Sequence, residues 1–307
     1  MKQLILEHIL KTAQPIIRLI PLEKQRCGQR EILKHKPLSQ SVSFVEDRHL
    51  DFNAEWVVPE KHRSDYAILY IHGGGYGMGD LLSSRALIAP IAECLGIAAF
   101  SFEYRLAPEY PYPAALEDCI TAYQYMLSQG FAANKIIFVG DSAGGGLVLA
   151  LTLKIRKTFG KPCCLVTLSP WADLTQTSLS YRIHEKDDPM LSANCLNMLA
   201  QAYIGENSPL NPYISPAFAK YDADFPPTLI QVGTHEVLFD DAKNLHNHLR
   251  KSGVHSELQI YRNMWHIFHI WNIKQSAAAI KNIADFVSPF VSYSTDKKRG
   301  AAYGKRK

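Results

Sequence analysis

Long apolar runs are absent from this 307-residue sequence. None reaches the roughly 18 residues that a membrane-spanning helix needs, so an embedded membrane protein is not expected. Self-similarity at a period of 20–50 residues is missing as well, which excludes a solenoid. Gly 18 and Pro 17 are near average usage, and hydrophobic residues make up 47%. Collagen-like and disordered chains are therefore excluded, and a large buried core is expected.

The six cysteines, Cys27, Cys94, Cys119, Cys163, Cys164 and Cys195, form no CxxC pair and no Cys/His metal-ligand spacing. They read as free thiols in a reducing compartment, and no metal site is expected. The amino terminus also lacks a signal-peptide pattern. Glu7, His8 and Lys11 interrupt the apolar stretch and no small-x-small cleavage site follows, so an amphipathic helix ending near Pro15 is expected, in a cytoplasmic protein. A role for Leu4–Leu10 at a lipid surface is weighed below a role as a covering helix.

The formal charge of +4 suggests nucleic acid until its distribution is read. From Ser294 onward Lys297, Lys298, Arg299, Lys305, Arg306 and Lys307 face Asp296 alone. The tail carries the excess, and a near-neutral body remains. Residues 294–307 read as a solvated, disordered end, and no nucleic-acid partner is expected.

What is present is an alternation of apolar strands with amphipathic helices. Short strands at Ser41–Glu46 and Ala54–Val58 precede Tyr66–Ile71, Ile97–Phe102, Lys135–Val139, Cys163–Leu168, Thr228–Val232 and Glu257–Tyr261. Continuous apolar strands are those buried on both faces, which implies a mostly parallel sheet covered by helices. The helices are Ser83–Cys94, Ala114–Ser128, Gly145–Lys157, Asp240–Lys251 and Gln275–Val287. This is the α/β class. Residues 1–40 and 174–216 fall outside the alternation and read as cap segments, the second containing a helix at Ser192–Tyr203. The core then comprises 41–173 and 217–293.

One pentapeptide carries the chemistry. Gly140-Asp141-Ser142-Ala143-Gly144 follows the strand KIIFV and opens a helix, the setting of a nucleophile elbow. The helix amino terminus favours an oxyanion beside Ser142, with the Ala143 N–H as a donor. The loop after Tyr66–Ile71 reads His72-Gly73-Gly74-Gly75-Tyr76, whose glycines leave N–H groups free to face an oxyanion. A phosphate cradle would want GxGxxG or a Lys-Ser/Thr ending, and neither occurs.

A serine nucleophile needs a base and an orienting acid, in the order Ser, acid, His on such a fold. After TLIQV the candidates are Glu236, Asp240 and Asp241. Glu236 is nearest the strand end and is favoured over Asp240, which suits a helix amino terminus. After ELQIY, loop position selects His266 over His269.

HGGGY at 72–76, YRLAPE at 104–109, GDSAGGGL at 140–147, SPWAD at 169–173, DPM at 188–190, EVLFDD at 236–241 and Trp265-His266 together resemble the hormone-sensitive-lipase family of esterases. The resemblance covers about residues 65–290. It implies an α/β-hydrolase fold with a helical cap, hydrolysis of short- to medium-chain esters or lactones, and neither metal nor organic cofactor. It matches Ser142 to the nucleophile, His266 to the base, and Gly73, Gly74 and Ala143 to the oxyanion donors. Many members carry Asp at the acid position, whereas this chain has Glu236, like a subgroup of the family. His72, Asp141, Asp240 and Tyr104 read as supporting residues, and Arg105 and Glu109 as loop-holding ones. Tyr76, Trp171, Met190, Leu191, Leu196 and Leu199 are candidates for an apolar substrate pocket. A homodimer is a further implication of the resemblance. The alternative function is a small-molecule binder whose catalysis has lapsed. Retention of Ser142, His266 and an acid argues against it.

Overall fold

Apolar residues in β3 (Arg63–Ile71) divide by parity, and the division shows how the sheet is covered. Ala67, Leu69 and Ile71 enter one core cluster, whereas Tyr66, Ile68 and Tyr70 enter the other. In β5 (Ile136–Asp141) Ile136 and Phe138 take the first face and Ile137 and Val139 the second. Successive side chains point to opposite faces, so strands this apolar are stable only between two helical layers.

The computed structural model describes residues 2–17, 20–34 and 38–291. The basic tail 294–307 lies outside them. After α1 (Lys2–Ile17) and α2 (Leu22–Lys34) the chain alternates through β1 (Val42–Asp47), β2 (Ala54–Pro59), β3, α3 (Leu81–Leu95), β4 (Ile97–Phe102), α4 (Ala114–Ser128) and β5. It continues with α5 (Ala143–Ile155), β6 (Leu165–Leu168), α6 (Ser180–Ile183), α7 (Ala193–Ile204), β7 (Thr228–Gly233), α8 (Phe239–Lys251), β8 (Ser256–Tyr261) and α9 (Lys274–Val287). The eight strands lie in the order β1-β2-β4-β3-β5-β6-β7-β8. β1, β2 and β4 pair antiparallel, and every pairing from β4 through β3 to β8 is parallel. Residues of α4, α5 and α8 cover one face, and residues of α3 and α9 the other. This is the α/β-hydrolase fold.

Most strand and helix boundaries differ from the expected ones by one to three residues, β3 most among the strands because it begins at Arg63 and not Tyr66. α1 continues to Ile17, so Pro15 falls inside its last turn, where only one ladder bond is at stake. β6 is paired only over Leu165–Leu168, shorter than the apolar run suggested. Among the described residues no helix is long and apolar enough to cross a membrane.

The segments outside the alternation sit on the carboxyl-end loops. Leu6 and Leu10 of α1 pack against Met264, Trp265 and Phe268. Arg26 of α2 donates to the Gly77 carbonyl at 2.6 Å and the Ala107 carbonyl at 2.8 Å, and grips Glu109 at 2.8 and 2.9 Å.

Candidate active site

Ser142 sits between β5 and α5 at φ 52°, ψ −121°, a positive-φ backbone conformation that an L residue adopts at a cost. The surroundings hold it there. Its N–H donates to the Leu168 carbonyl at 2.8 Å, and its own carbonyl accepts from Trp171 N–H at 2.9 Å. A Cβ on Gly144 would strike the Ile71 and His72 carbonyls, and one on Gly140 would strike Gly144. The small residues around the serine are thus a steric requirement of the turn.

Glu236 and His266 come from loops locked to each other. The Thr234 N–H donates to the Tyr261 carbonyl at 3.0 Å, and the His235 N–H to the Met264 carbonyl at 2.9 Å. A Cβ on Gly233 would meet the Met264 carbonyl, so the two loops cross at van der Waals contact. His266 Nε2 lies 3.0 Å from Ser142 Oγ, and its Nδ1 lies 3.1 Å from Glu236 Oε2. A carboxylate only accepts, so the neutral ring carries its proton on Nδ1 and turns the Nε2 lone pair toward the serine hydroxyl. The other Glu236 oxygen accepts from Gly233 N–H at 2.5 Å and Ser169 O–H at 2.8 Å. All three side chains are buried, Glu236 completely.

The glycine loop differs from its expected division of labour. Gly73 N–H donates to Asp141 Oδ1 at 3.0 Å, so it is not free to meet an oxyanion. The same oxygen accepts from Tyr70 O–H at 2.6 Å. Burial pushes the Asp141 carboxyl up, against the pull of Tyr70. Gly74 (φ 110°) and Gly75 (φ 62°) take the left-handed turn, and neither N–H has a partner among the described residues. The N–H groups beside Ser142 without a partner among the described residues are therefore those of Gly74, Gly75 and Ala143, the last at the start of α5.

Residues 68–270 match a family profile described as the alpha/beta hydrolase fold. An esterase of Acinetobacter venetianus is 36% identical over 225 residues, covering 72% of this chain and 74% of that protein. The chain belongs to the hormone-sensitive-lipase family of α/β-hydrolases. An acetyl-hydrolase of Streptomyces hygroscopicus is 36% identical over 217 residues, 70% of this chain and 72% of that one. EstE5, in a crystal soaked with p-nitrophenyl butyrate, superposes with a TM-score of 0.87 at 34% identity, covering 94% of this chain and 97% of its own. An esterase of the bacterial hormone-sensitive lipase family gives 0.88 at 30% identity, covering 93% and 98%. The protein is a carboxylesterase.

Around this esterase's serine the other expected residues divide. His72 holds the loop: its ring stacks on Tyr104 at 4.1 Å, its Nδ1 lies 2.8 Å from the Gly73 carbonyl, and its own carbonyl accepts from Tyr104 O–H at 3.0 Å. Arg105 bonds Asp118 and Glu117, and Glu109 bonds Arg26. Tyr76 is buried between Tyr203, stacked at 3.8 Å, and Trp171, tilted at 5.6 Å. Leu199 of α7 seats on Gly75 and Gly77, while Leu196 is buried and Leu191 packs at the core's edge.

Three expectations are corrected. Met190 faces outward, 37% exposed, because its backbone and not its side chain is held at the site. Asp240 supports α6 and not His266: it accepts from Ser180 N–H at 3.0 Å and pairs with Lys243 at 3.3 Å. Gly73 is replaced by Gly75 among the available donors. His269 is turned away to Gln231 at 3.0 Å, and burial holds it near about 3, so it stays neutral. Ser169, whose hydroxyl donates to Glu236, carries no signal in the sequence beyond its place in the SPWAD motif.

Proposed function

We propose that Ser142, His266 and Glu236 are nucleophile, base and orienting acid of an esterase acting on short- to medium-chain carboxylic esters or lactones. The observation that carries this reading is the unbroken chain of hydrogen bonds from Glu236 through His266 to Ser142. His266 takes the Ser142 proton as Oγ attacks the carbonyl carbon, and the N–H groups of Gly74, Gly75 and Ala143 stabilise the resulting oxyanion. On collapse the C–O bond breaks and the alcohol leaves with the proton from His266. Water then repeats the sequence on the acyl-enzyme, releasing the acid and restoring Ser142.

The described residues of 1–40 and residues 174–216 form the cap in this reading, with Leu199 and Tyr203 of α7 pressed on the glycine loop and its tyrosine. The aromatic and aliphatic surroundings, with no Lys or Arg bonded at the serine among the described residues, suit an uncharged acyl group of limited length. The acetyl-hydrolase relative and the butyrate ester soaked into EstE5 support the same range. Six free cysteines support a cytoplasmic setting.

The test is a series of p-nitrophenyl esters from acetate upward, with Ser142→Ala beside the unaltered enzyme. Turnover should be greatest at short chains, and the variant should lose at least about 10³-fold of it. Undiminished turnover by Ser142→Ala would overturn the proposal.

A further inference from the structure

Asp188 is a buried carboxylate, 1% exposed, that has no part in the mechanism above. Its Oδ1 accepts from Met190 N–H at 2.9 Å and Leu191 N–H at 3.1 Å. Its Oδ2 reaches across 49 residues to the N–H of Val237, the neighbour of Glu236, at 3.1 Å. Among the described residues no Lys or Arg neutralises it. The same short segment is gripped from the other side, since Gln14 of α1 donates to the carbonyls of Asp188 at 3.1 Å and Leu191 at 2.9 Å. One carboxylate thus ties the insert after β6 and the amino-terminal helix to the loop that carries Glu236.

Its charge also reaches the site. Burial lifts the Asp188 carboxyl to about 6, His266 pulls it down as an opposite charge, and Glu236 pushes it up. Other titratable groups on the packed elements are Glu7 and Lys11 of α1, paired at 2.9 Å, and His235, 3.8 Å from Glu7. On its own segment His184 and Asp187 pair at 3.3 Å, and Glu185 accepts from Ala193 N–H at 2.8 Å. A change confined to Asp188 leaves all of these in place.

We propose that Asp188 is a positioning residue of the esterase: through Val237 it pins the Glu236 loop, and its negative charge favours the imidazolium that His266 becomes in each half-reaction. The inference rests on the assignment of Ser142, His266 and Glu236. A carboxylate bonded only by backbone N–H groups suits this role, because no cation cancels its field toward the imidazole. A merely structural cap of the 188–191 turn would need no charge.

Asp188→Asn keeps the side chain's size but removes the charge and one of the two acceptor oxygens, so kcat reads the pinning and the pH profile reads the charge. With p-nitrophenyl butyrate, kcat should fall by about 10–100-fold as the acid loop loses register. KM should stay within a few-fold. Without the second charge the imidazolium is disfavoured, so the acid limb of kcat/KM should move to lower pH by roughly one unit. Asp188→Glu keeps the charge, so its limb should stay at the wild-type position while kcat falls; it decides the matter should the asparagine variant not fold. An unmoved limb in Asp188→Asn, with or without a loss of kcat, overturns the proposal, as does a limb displaced to lower pH in Asp188→Glu. Ser142→Ala keeps the two readings apart. If it remains active the triad assignment fails, whereas an inactive Ser142→Ala beside an unaltered Asp188→Asn refutes the Asp188 role alone.

Discussion

Gly73 and Asp141 are joined by an N–H···O bond of 3.0 Å, which fastens the first glycine of the HGGG loop to the end of β5, one residue before Ser142. The same carboxyl oxygen accepts from the Tyr70 hydroxyl at 2.6 Å, so the loop is tied to the residue that precedes the nucleophile. Asp141→Ala leaves two buried donors, Tyr70 O–H and Gly73 N–H, without a partner. It should destabilise the fold by about 1–3 kcal/mol and lower kcat, while Asp141→Asn, which keeps an acceptor at that oxygen, should do neither to the same degree. Urea unfolding beside ester turnover checks this, and an Asp141→Ala enzyme as stable and active as wild type would contradict it.

Gly74 sits at φ 110°, and a Cβ there would run into the Met78 carbonyl. Gly74→Ala should rebuild the turn and remove a proposed oxyanion donor, with a fall in kcat of about 10²–10³-fold. Initial rates on p-nitrophenyl acetate read the effect. A loss under threefold would show that the Gly74 N–H does not meet the oxyanion.

Of the three candidate acids, Glu236 reaches His266, while Asp240 and Asp241 bond other residues. Glu236→Gln should lower kcat by about 10³-fold or more, because the amide no longer selects the productive ring tautomer. Asp240→Asn should change kcat by less than about threefold, since it disturbs only the Ser180 and Lys243 contacts. Equal losses in the two variants would remove the distinction.

Asp241 is buried against the hydroxyls of Ser178 and Tyr181 at 2.5 and 2.7 Å, and burial raises its carboxyl to about 8 from an ordinary value of 3.8. Between those limits the folded chain retains a proton that the unfolded chain has released. The group's contribution to stability is therefore full below about pH 4 and is lost as pH rises toward 8. Asp241→Asn should raise the thermal midpoint more at pH 8 than at pH 5. A midpoint change of the same size at both values would show that Asp241 does not hold the proton.

The parts of the site borne by local pattern were legible in the sequence. GDSAG between a strand and a helix located Ser142, and strand order placed His266 and Glu236 on adjacent loops. Alternating apolar strands and helices identified the fold, because burial on both faces leaves a compositional mark. What was not legible depends on partners distant in the chain. Which glycine N–H remains free is decided by Asp141 on another strand, so Gly73 and Gly75 exchanged roles. Ser169 acts on Glu236 across 67 residues, and Asp188 on Val237 across 49. Met190 carried an apolar side chain into the expected pocket list, yet its segment is held by backbone and leaves that side chain outside.

Acyl transfer through Ser142 is tested by peptide mapping of enzyme quenched in acid during turnover of p-nitrophenyl butyrate. A butyryl group is expected on the peptide containing Ser142, formed with a burst of p-nitrophenol equal to the enzyme present and absent from Ser142→Ala. A butyryl group on another residue, or full turnover by Ser142→Ala, would contradict it.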